Sequence, residues 1–282
     1  MCAMISTSES NSAYTPNPLR MPAELTSSKN PLLKDVRRAI SRGGLTADGF
    51  CIAETFHLLE EALRSNCTIQ VVIASESVYA TVERRVAGLR NIQTIRVPDT
   101  LYAEISATES SQGVMALVKP PSWDLDQVVR AQPLVMVVDG IQDPGNAGSI
   151  IRAAEAFGAS GVIFIKGSVS PYNPKAIRGS AGSIFRVPLV AGLDPMLALA
   201  ALTQRKLDIY AAMPQAPIPL TDTDLRRRCA FIIGSEGRGV SSELQKAALH
   251  VRIPTSHVES LNASVAAGIL LYEAWRQRTL PA

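Results

Sequence analysis

Three groups of polar side chains, far apart along the chain, stand where apolar runs give way to helical patterns. The first lies in DGIQDPGNAGSIIRAAEAFGA, Asp139 to Ala159, where a loop with Pro144, Gly145 and Gly148 follows an apolar run ending at Asp139. A loop of this kind sits at the C-terminal edge of a parallel sheet, where open α/β folds bind ligands. Asn146 is suited to cap the helix that follows, and Arg152, less than two turns further on, can lean back over the same end. A capped helix with a solvated Arg is the competing reading. A dinucleotide site is disfavoured, because the loop lacks the G-x-G-x-x-G glycine triad.

The second group lies in AFIIGSEGRGVS, Ala230 to Ser241, where Gly234, Gly237 and Gly239 surround one acid, Glu236. Glycines at a strand end let a ligand approach the backbone closely, and the carboxylate could orient an Arg or accept a ligand donor. A tight turn with an exposed Glu is the alternative. The third group is Ser260 and Asn262 in HVESLNASVAAGILLYEA, His257 to Ala274, at the predicted start of a helix. Leu261, Val265, Ile269, Leu270 and Tyr272 give that helix apolar surface, and Ala263, Ala266, Ala267 and Gly268 allow very close packing. Taken alone it is an N-capped amphipathic helix.

These groups need elements to position them. Apolar β-type runs at Phe50–Ala53, Ile69–Ala74, Thr94–Val97 and Gly113–Val118 alternate with helical patterns such as Phe56 to Leu63, which predicts a small α/β domain over residues 29–119. PPSWDLDQ opens a linker over 120–132, since its paired prolines suit neither helix nor central strand. Leu134–Asp139, the helix Ala147–Phe157 and Gly161–Ile165 then form a βαβ unit, with further strands at Asp208–Ala212, Ala230–Ile233 and Val251–Ile253 in a second domain over 133–282. With 282 residues, two separate cores are the starting expectation. The Ser-rich residues 1–28 are expected to form a flexible tail.

Apolar residues make up 46% of the chain and charged residues 19%, which fits a globular protein and excludes wholesale disorder. The net charge is only +3, so its distribution matters more than its sum. Lys34, Arg37, Arg38 and Arg42, with Lys29 beside them, form a basic cluster able to touch RNA phosphates; Arg226, Arg227 and Arg228 form another. A solvated surface is the alternative for each. Cys2, Cys51, Cys67 and Cys229 show no metal-ligand spacing, so reduced thiols, no metal and a cytoplasmic protein are expected. No apolar run reaches the ~18 residues that a membrane span needs.

Taken in order, D-P-G-N-A-G-S-I-I-R-A-A-E-A-F-G, I-I-G-S-E-G-R-G and R-I-P-T-S-H-V-E-S-L-N-A-S-V-A-A-G-I-L-L-Y-E closely resemble the motifs of the SpoU (TrmH) family of RNA ribose 2′-O-methyltransferases, within the SPOUT superfamily. The resemblance covers about residues 133 to 278, and SATESSQGVMALV, Ser106 to Val118, resembles the family's smaller, L30e-like substrate-binding domain. It implies an α/β fold with a SPOUT-type parallel sheet and a deep C-terminal trefoil knot, a homodimer, and S-adenosyl-L-methionine bound by the knot loops. Carried over by motif, Asn146, Arg152, Glu236, Ser260 and Asn262 match catalytic positions, and Gly234, Ile253 and Leu261 match cofactor-contacting ones. One departure stands out: the family commonly reads I-P-M-x-G where this chain has Ile253 and Pro254 followed by Thr255, Ser256 and His257, one residue shorter and without the glycine. A reshaped cofactor loop is therefore expected, and His257 is read as a bystander.

On this resemblance the chain methylates a ribose 2′-hydroxyl in structured RNA, ribosomal RNA before transfer RNA, with no metal. Arg152 acts at the hydroxyl either as a base or by clamping the neighbouring phosphate, the clamp being physically easier because a guanidinium holds its proton so firmly. A protein that kept the fold for RNA binding but lost catalysis is the runner-up.

Overall fold

The computed structural model describes residues 23–89 and 92–279. The tail expected over residues 1–28 therefore lies mostly outside the described residues. Its last part is built into the fold: Leu25 N–H donates to the Arg96 carbonyl, Arg96 N–H donates to the Ala23 carbonyl, and the Leu25 side chain is buried.

The front domain comprises α1 (Pro31–Arg42), β1 (Cys51–Glu54), α2 (Phe56–Arg64), β2 (Ile69–Ser75), α3 (Tyr79–Val86), β3 (Gln93–Val97), α4 (Asp99–Ile105) and β4 (Val114–Val118). Its four strands run in the order β1-β4-β2-β3, with β4 antiparallel to both neighbours. Successive side chains of a strand point to opposite faces, and the burial follows that alternation. Val71, Ile73, Met115 and Leu117 pack beneath α1 and α4, while Val72, Ala74, Val114 and Ala116 face the other way.

The stretch expected as a linker is more ordered than its prolines suggest. Asp124 and Gln127 form a reciprocal capping box that starts α5 (Leu125–Val128), and Val128 and Val129 are buried. The prolines end β4 but leave the following residues free to form this turn of helix.

The rear domain holds β5 (Leu134–Asp139), α6 (Pro144–Ala156), β6 (Gly161–Ile165), α7 (Pro174–Ser180), β7 (Leu189–Leu193), α8 (Pro195–Gln204), β8 (Asp208–Ala212), β9 (Ile218–Pro219), β10 (Cys229–Gly234), α9 (Ser242–Lys246), β11 (Leu249–Arg252) and α10 (Ala263–Thr279). Its seven strands, all parallel, run β7-β6-β5-β10-β8-β11-β9. The chain leaves β5 toward β6 on one side, whereas β10 has β8 on its other side. The β5–β10 boundary is thus a switch point, with a crevice outside the carboxyl ends of the two strands.

One buried cluster spans both domains, and each domain also keeps one of its own, around Leu33, Ile73 and Leu117 in front and around Val135, Ile163 and Ile232 behind. Cys51, Ala53 and Leu59 from the front belong to the same buried cluster as Ile150, Ile177 and Phe164 from the rear. Between them α6 crosses α7 at Gly148 and Gly179, where a Cβ on Gly148 would stand 2.3 Å from the Ala176 carbonyl oxygen. Arg186 ties the domains on the polar side. Its guanidinium pairs with both oxygens of Glu155 on α6 and with Glu61 on α2, at 2.7 Å from the latter. Those hydrogen bonds hold the Glu155 carboxyl below its ordinary range.

Two outcomes follow from this junction. Gly148→Ala should destabilise the fold by at least ~1–3 kcal/mol in a urea titration, because the methyl group has only backbone to displace. Glu155 has a lowered folded pKa, so its contribution is present above the ordinary value of 4.5 and disappears as pH falls through the folded value. The melting-temperature gap between wild type and Arg186→Gln should accordingly be full at neutral pH and narrow below 4.5; a gap constant with pH would remove Glu155 from the junction.

Candidate functional site

The loops after β5 and β10 and the start of α10 meet at the crevice. Asp143 caps α6: its carboxylate accepts the Asn146 backbone N–H at 2.9 Å, with Pro144 at the first helical position. The sequence pattern suggests Asn146 for the cap, and the structure gives that task to Asp143. An Asp before a Pro supplies the cap acceptor and a preset backbone angle together. The Asn146 N–H, followed by the Lys175 ammonium at 3.0 Å, holds the Asp143 carboxyl below its usual range.

Relieved of capping, the Asn146 side chain joins the other two motifs. Its Nδ2 donates to Glu236 Oε1 at 2.7 Å, and its Oδ1 accepts from Asn262 Nδ2 at 3.0 Å. Asn262 is also the cap of α10, its Oδ1 accepting from the Ser264 N–H, the Ser264 hydroxyl and the Val265 N–H. Bonds that span 90 and 116 residues of sequence thus join three stretches in one amide-centred chain.

Glu236 is held from below. Asp139, at the end of β5, accepts the Ser241 N–H at 2.6 Å, and Gly239 N–H returns to the Ser235 carbonyl, closing the loop after β10. Gly234 serves this closure: a Cβ there would lie 2.1 Å from the Gly239 carbonyl carbon. The close approach at this strand end is made by the chain's own backbone.

Beside Glu236 opens a pocket enclosing about 690 Å³, open space at its mouth included, within the range of small-molecule sites. Gly234, Ile253 and Leu261, the three expected cofactor positions, line it together with Glu236 and Ser260. Ala212, Met213 and Pro214, at the end of β8 and just after it, complete it, with Thr255 and Glu259 from the third motif. No motif marks residues 212–214, whose place depends on β8 lying next to β10. The mostly apolar wall with two carboxylates suits a ligand with a flat hydrophobic ring and a cationic part.

Arg152 stands apart. It is exposed on α6, outside the pocket lining, and makes no hydrogen bond or ion pair among the described residues. His257 is exposed and does not line the pocket. Of the basic cluster on α1, Lys34, Arg38 and Arg42 are exposed, whereas Arg37 is half-buried and donates to the Ser28 carbonyl, with Glu104 at 3.8 Å. Cys51, Cys67 and Cys229 are unpaired thiols, and burial pushes Cys51 up to about 12. Among the described residues no helix is long and apolar enough to cross a membrane.

A parallel sheet with its pocket at a switch point, walled by loops after two central strands and by a C-terminal helix, defines an α/β protein built to hold a small molecule beside a polar cluster. The chain belongs to the SpoU (TrmH) family of RNA methyltransferases. The model of the SpoU rRNA Methylase family matches residues 133–272, and that of the MRM3-like substrate binding domain matches residues 30–116. An uncharacterised tRNA/rRNA methyltransferase of Synechocystis is 34% identical over 91% of this chain and 94% of its own length. The 23S rRNA (guanosine(2553)-2′-O)-methyltransferase RlmP of Bacillus subtilis is 28% identical over 88% of this chain and 98% of its own. Among solved structures, the SpoU methyltransferase AviRb of Streptomyces viridochromogenes, in complex with the cofactor AdoMet, superposes with a TM-score of 0.80 at 26% identity, covering 89% of this chain and 98% of that one.

The cap assignment separates two substitutions. Asp143→Ala should cost about 0.5–2 kcal/mol of stability by removing a helix cap. Asn146→Ala should leave stability nearly unchanged, since it removes only exposed hydrogen bonds. Equal destabilisation in thermal melts of the two variants would return the cap to Asn146.

Proposed function

We infer that the protein transfers a methyl group from S-adenosyl-L-methionine to a ribose 2′-hydroxyl of structured RNA, with ribosomal RNA as the substrate. The observation that carries this reading is the Glu236–Asn146–Asn262 chain beside a pocket walled by Gly234, Ile253 and Leu261. Ala212, Met213, Ile233, Ile253 and Leu261 would hold the adenine ring and the carbon chain, with Glu236 and Glu259 toward the positive end. When bound, the sulfonium supplies an activated methyl group and its own leaving group.

A ribose hydroxyl is a weak nucleophile, so the protein's task is alignment and proton removal. Asn146, with both polar atoms already engaged, fixes Glu236 and Asn262 at one edge of the pocket, and Ser260 offers a hydroxyl at the rim. Glu236 uses one oxygen for Asn146 and keeps the other to accept the proton of the incoming 2′-hydroxyl, as the ribose oxygen bonds to the methyl carbon and the methyl–sulfur bond breaks to leave a neutral thioether. Arg152 serves as a phosphate clamp beside the reacting nucleotide, a role suited to an exposed guanidinium without a partner among the described residues.

The working unit in this reading is a homodimer. On α10 Val265 is 50% exposed and Tyr272 45%, at a spacing of seven with open space at Gly268 between them. That apolar stripe adjoins the exposed side of α6, through Phe157 against Tyr272, and α6 also carries Ser149, Arg152 and Ala156 facing outward. A second copy packed there would bury the stripe. The trefoil knot is part of the same reading, supported by β10 lying between β5 and β8 and by the tight return of residues 239–240 onto Gly234. A cytoplasmic location accords with unpaired thiols and an RNA substrate.

The direct test incubates the protein with methyl-labelled S-adenosylmethionine and ribosomal RNA, then digests the RNA and looks for 2′-O-methyl nucleoside. Labelled ribose supports the reading, and label on a base or none at all refutes it. Arg152→Ala should cut transfer by on the order of 10²-fold with cofactor affinity retained. On α1, replacing Lys34, Arg38 and Arg42 by Gln should weaken RNA binding and flatten its salt dependence by about 0.7–0.9 for each phosphate no longer neutralised. Arg37→Gln, whose partners lie within the protein, should change that slope little.

A further inference from the structure

The front domain meets the rear domain through a second polar contact, deeper than Arg186. Glu54 ends β1 and its side chain is only 1% exposed. Its carboxylate organises the loop between α4 and β4. Oε1 accepts from the hydroxyls of Ser106, Thr108 and Ser111, and Oε2 accepts the Ala107 N–H at 2.9 Å. Among the described residues, the cation facing it comes from the other domain: Arg178 on α7, with Nη1 3.9 Å from Glu54 Oε2. That nitrogen is buried and has no hydrogen-bond partner among the described residues.

A carboxylate buried among four neutral loop donors calls for a positive partner. Arg178 supplies it from α7, whose position is itself fixed. The crossing at Gly148 and Gly179 leaves no room for α7 to slide on α6, and Lys175, at its start, reaches Asp143 at 3.0 Å. Asp143 in turn holds the backbone of Asn146. An unbroken series of contacts therefore runs from the 106–111 loop, through Glu54, Arg178 and α7, to the side chain that joins Glu236 and Asn262. The outer residues of that loop, Glu109, Ser110 and Ser111, are exposed and polar, and able to face a bound RNA.

We propose that Glu54 and Arg178 form a positioning pair that sets the front domain's 106–111 loop, and the RNA lying on it, in register with the methyl-transfer site. The proposal rests on the RNA methyltransferase reading. Neither residue touches the reacting atoms. Their effect is on where the 2′-hydroxyl arrives, and misplacement by about 1 Å is enough to cost on the order of 10²-fold in rate.

The test compares full-length wild type, Arg178→Met and Arg178→Lys for three quantities: RNA affinity, the stoichiometry and affinity of S-adenosylmethionine binding by calorimetry, and kcat under saturation. Arg178→Met should bind both ligands within about threefold of wild type while kcat falls on the order of ten- to a hundredfold. Arg178→Lys, which keeps the charge, should recover most of the rate. Unchanged kcat in Arg178→Met overturns the proposal. A fall in kcat matched by an equal fall in cofactor-binding sites also overturns it, since that is the mark of a purely structural residue. If Arg178→Met does not fold, the double variant Thr108→Val, Ser111→Ala removes loop donors without touching the rear domain. It should show the same drop in kcat at retained affinity, and a wild-type rate would refute the proposal. A wild type that methylates no RNA defeats the functional reading instead, so the two failures remain distinguishable.

Discussion

Everything at the site depends on one side-chain amide being free to face two ways. Asn146 gives its N–H to Glu236 and takes one from Asn262, so the loop after β5, the loop after β10 and the start of α10 are registered against each other. That freedom exists because Asp143 has taken over the capping of α6. At α10 Asn262 does both, its Oδ1 capping the helix while its Nδ2 reaches Asn146; Asn146 spends its own Oδ1 on that contact and so leaves the α6 cap to Asp143. The D-P-G-N order therefore separates the two tasks: Asp143 for the cap, Pro144 for the first helical angle, and Asn146 one turn in for the long-range contact.

The same economy of space recurs at the glycines. Gly148 lets α6 and α7 approach until backbone meets backbone, and Gly234 lets the loop after β10 return onto its own strand. The second closes the pocket-lining loop at Gly234, Ser235, Glu236 and Gly239, and the first fixes α6 against α7. Rigid supports suit a reaction in which little chemistry is asked of the side chains and much is asked of their placement. The buried cluster that spans both domains extends this to the front domain, where Cys51, Ala53 and Leu59 join Ile150 of α6 and Ile177 of α7.

How much of this is legible in the sequence varies by element. β2, β5, β6 and β8 sit where their apolar runs place them, since a strand buried on both faces leaves a continuous signal. β7 and β9 leave weaker patterns because they lie at the sheet edges: LVAGL is partly exposed, and β9 is only two residues long. The cap of α6 is ambiguous because Asp143 and Asn146 are both good cap residues, and only the position of Pro144 decides between them. The wall at Ala212 to Pro214 is hidden for a different reason. Those residues have no chemistry of their own, and they reach the pocket only because β10 enters beside β8. The short helix within the expected linker is legible in Asp124 and Gln127 once the capping box is weighed against the prolines.

The lead-in to the last motif shows how a departure from the family pattern is absorbed. Ile253 and Leu261, which flank the shortened stretch, both line the pocket, as do Thr255 and Glu259. Ser256, His257 and Val258 do not. They bulge outward and are exposed, and the Thr255 hydroxyl donates to the Val258 carbonyl at 2.7 Å, tying the bulge at its base. A glycine in such a loop supplies a backbone angle that other residues resist. Here a side-chain hydrogen bond across a short turn stabilises the reversal instead, as Ser and Thr commonly do. The pocket wall on either side is thereby kept, and the change falls on the solvent side of the loop. His257 is carried outward with it, exposed and outside the pocket lining.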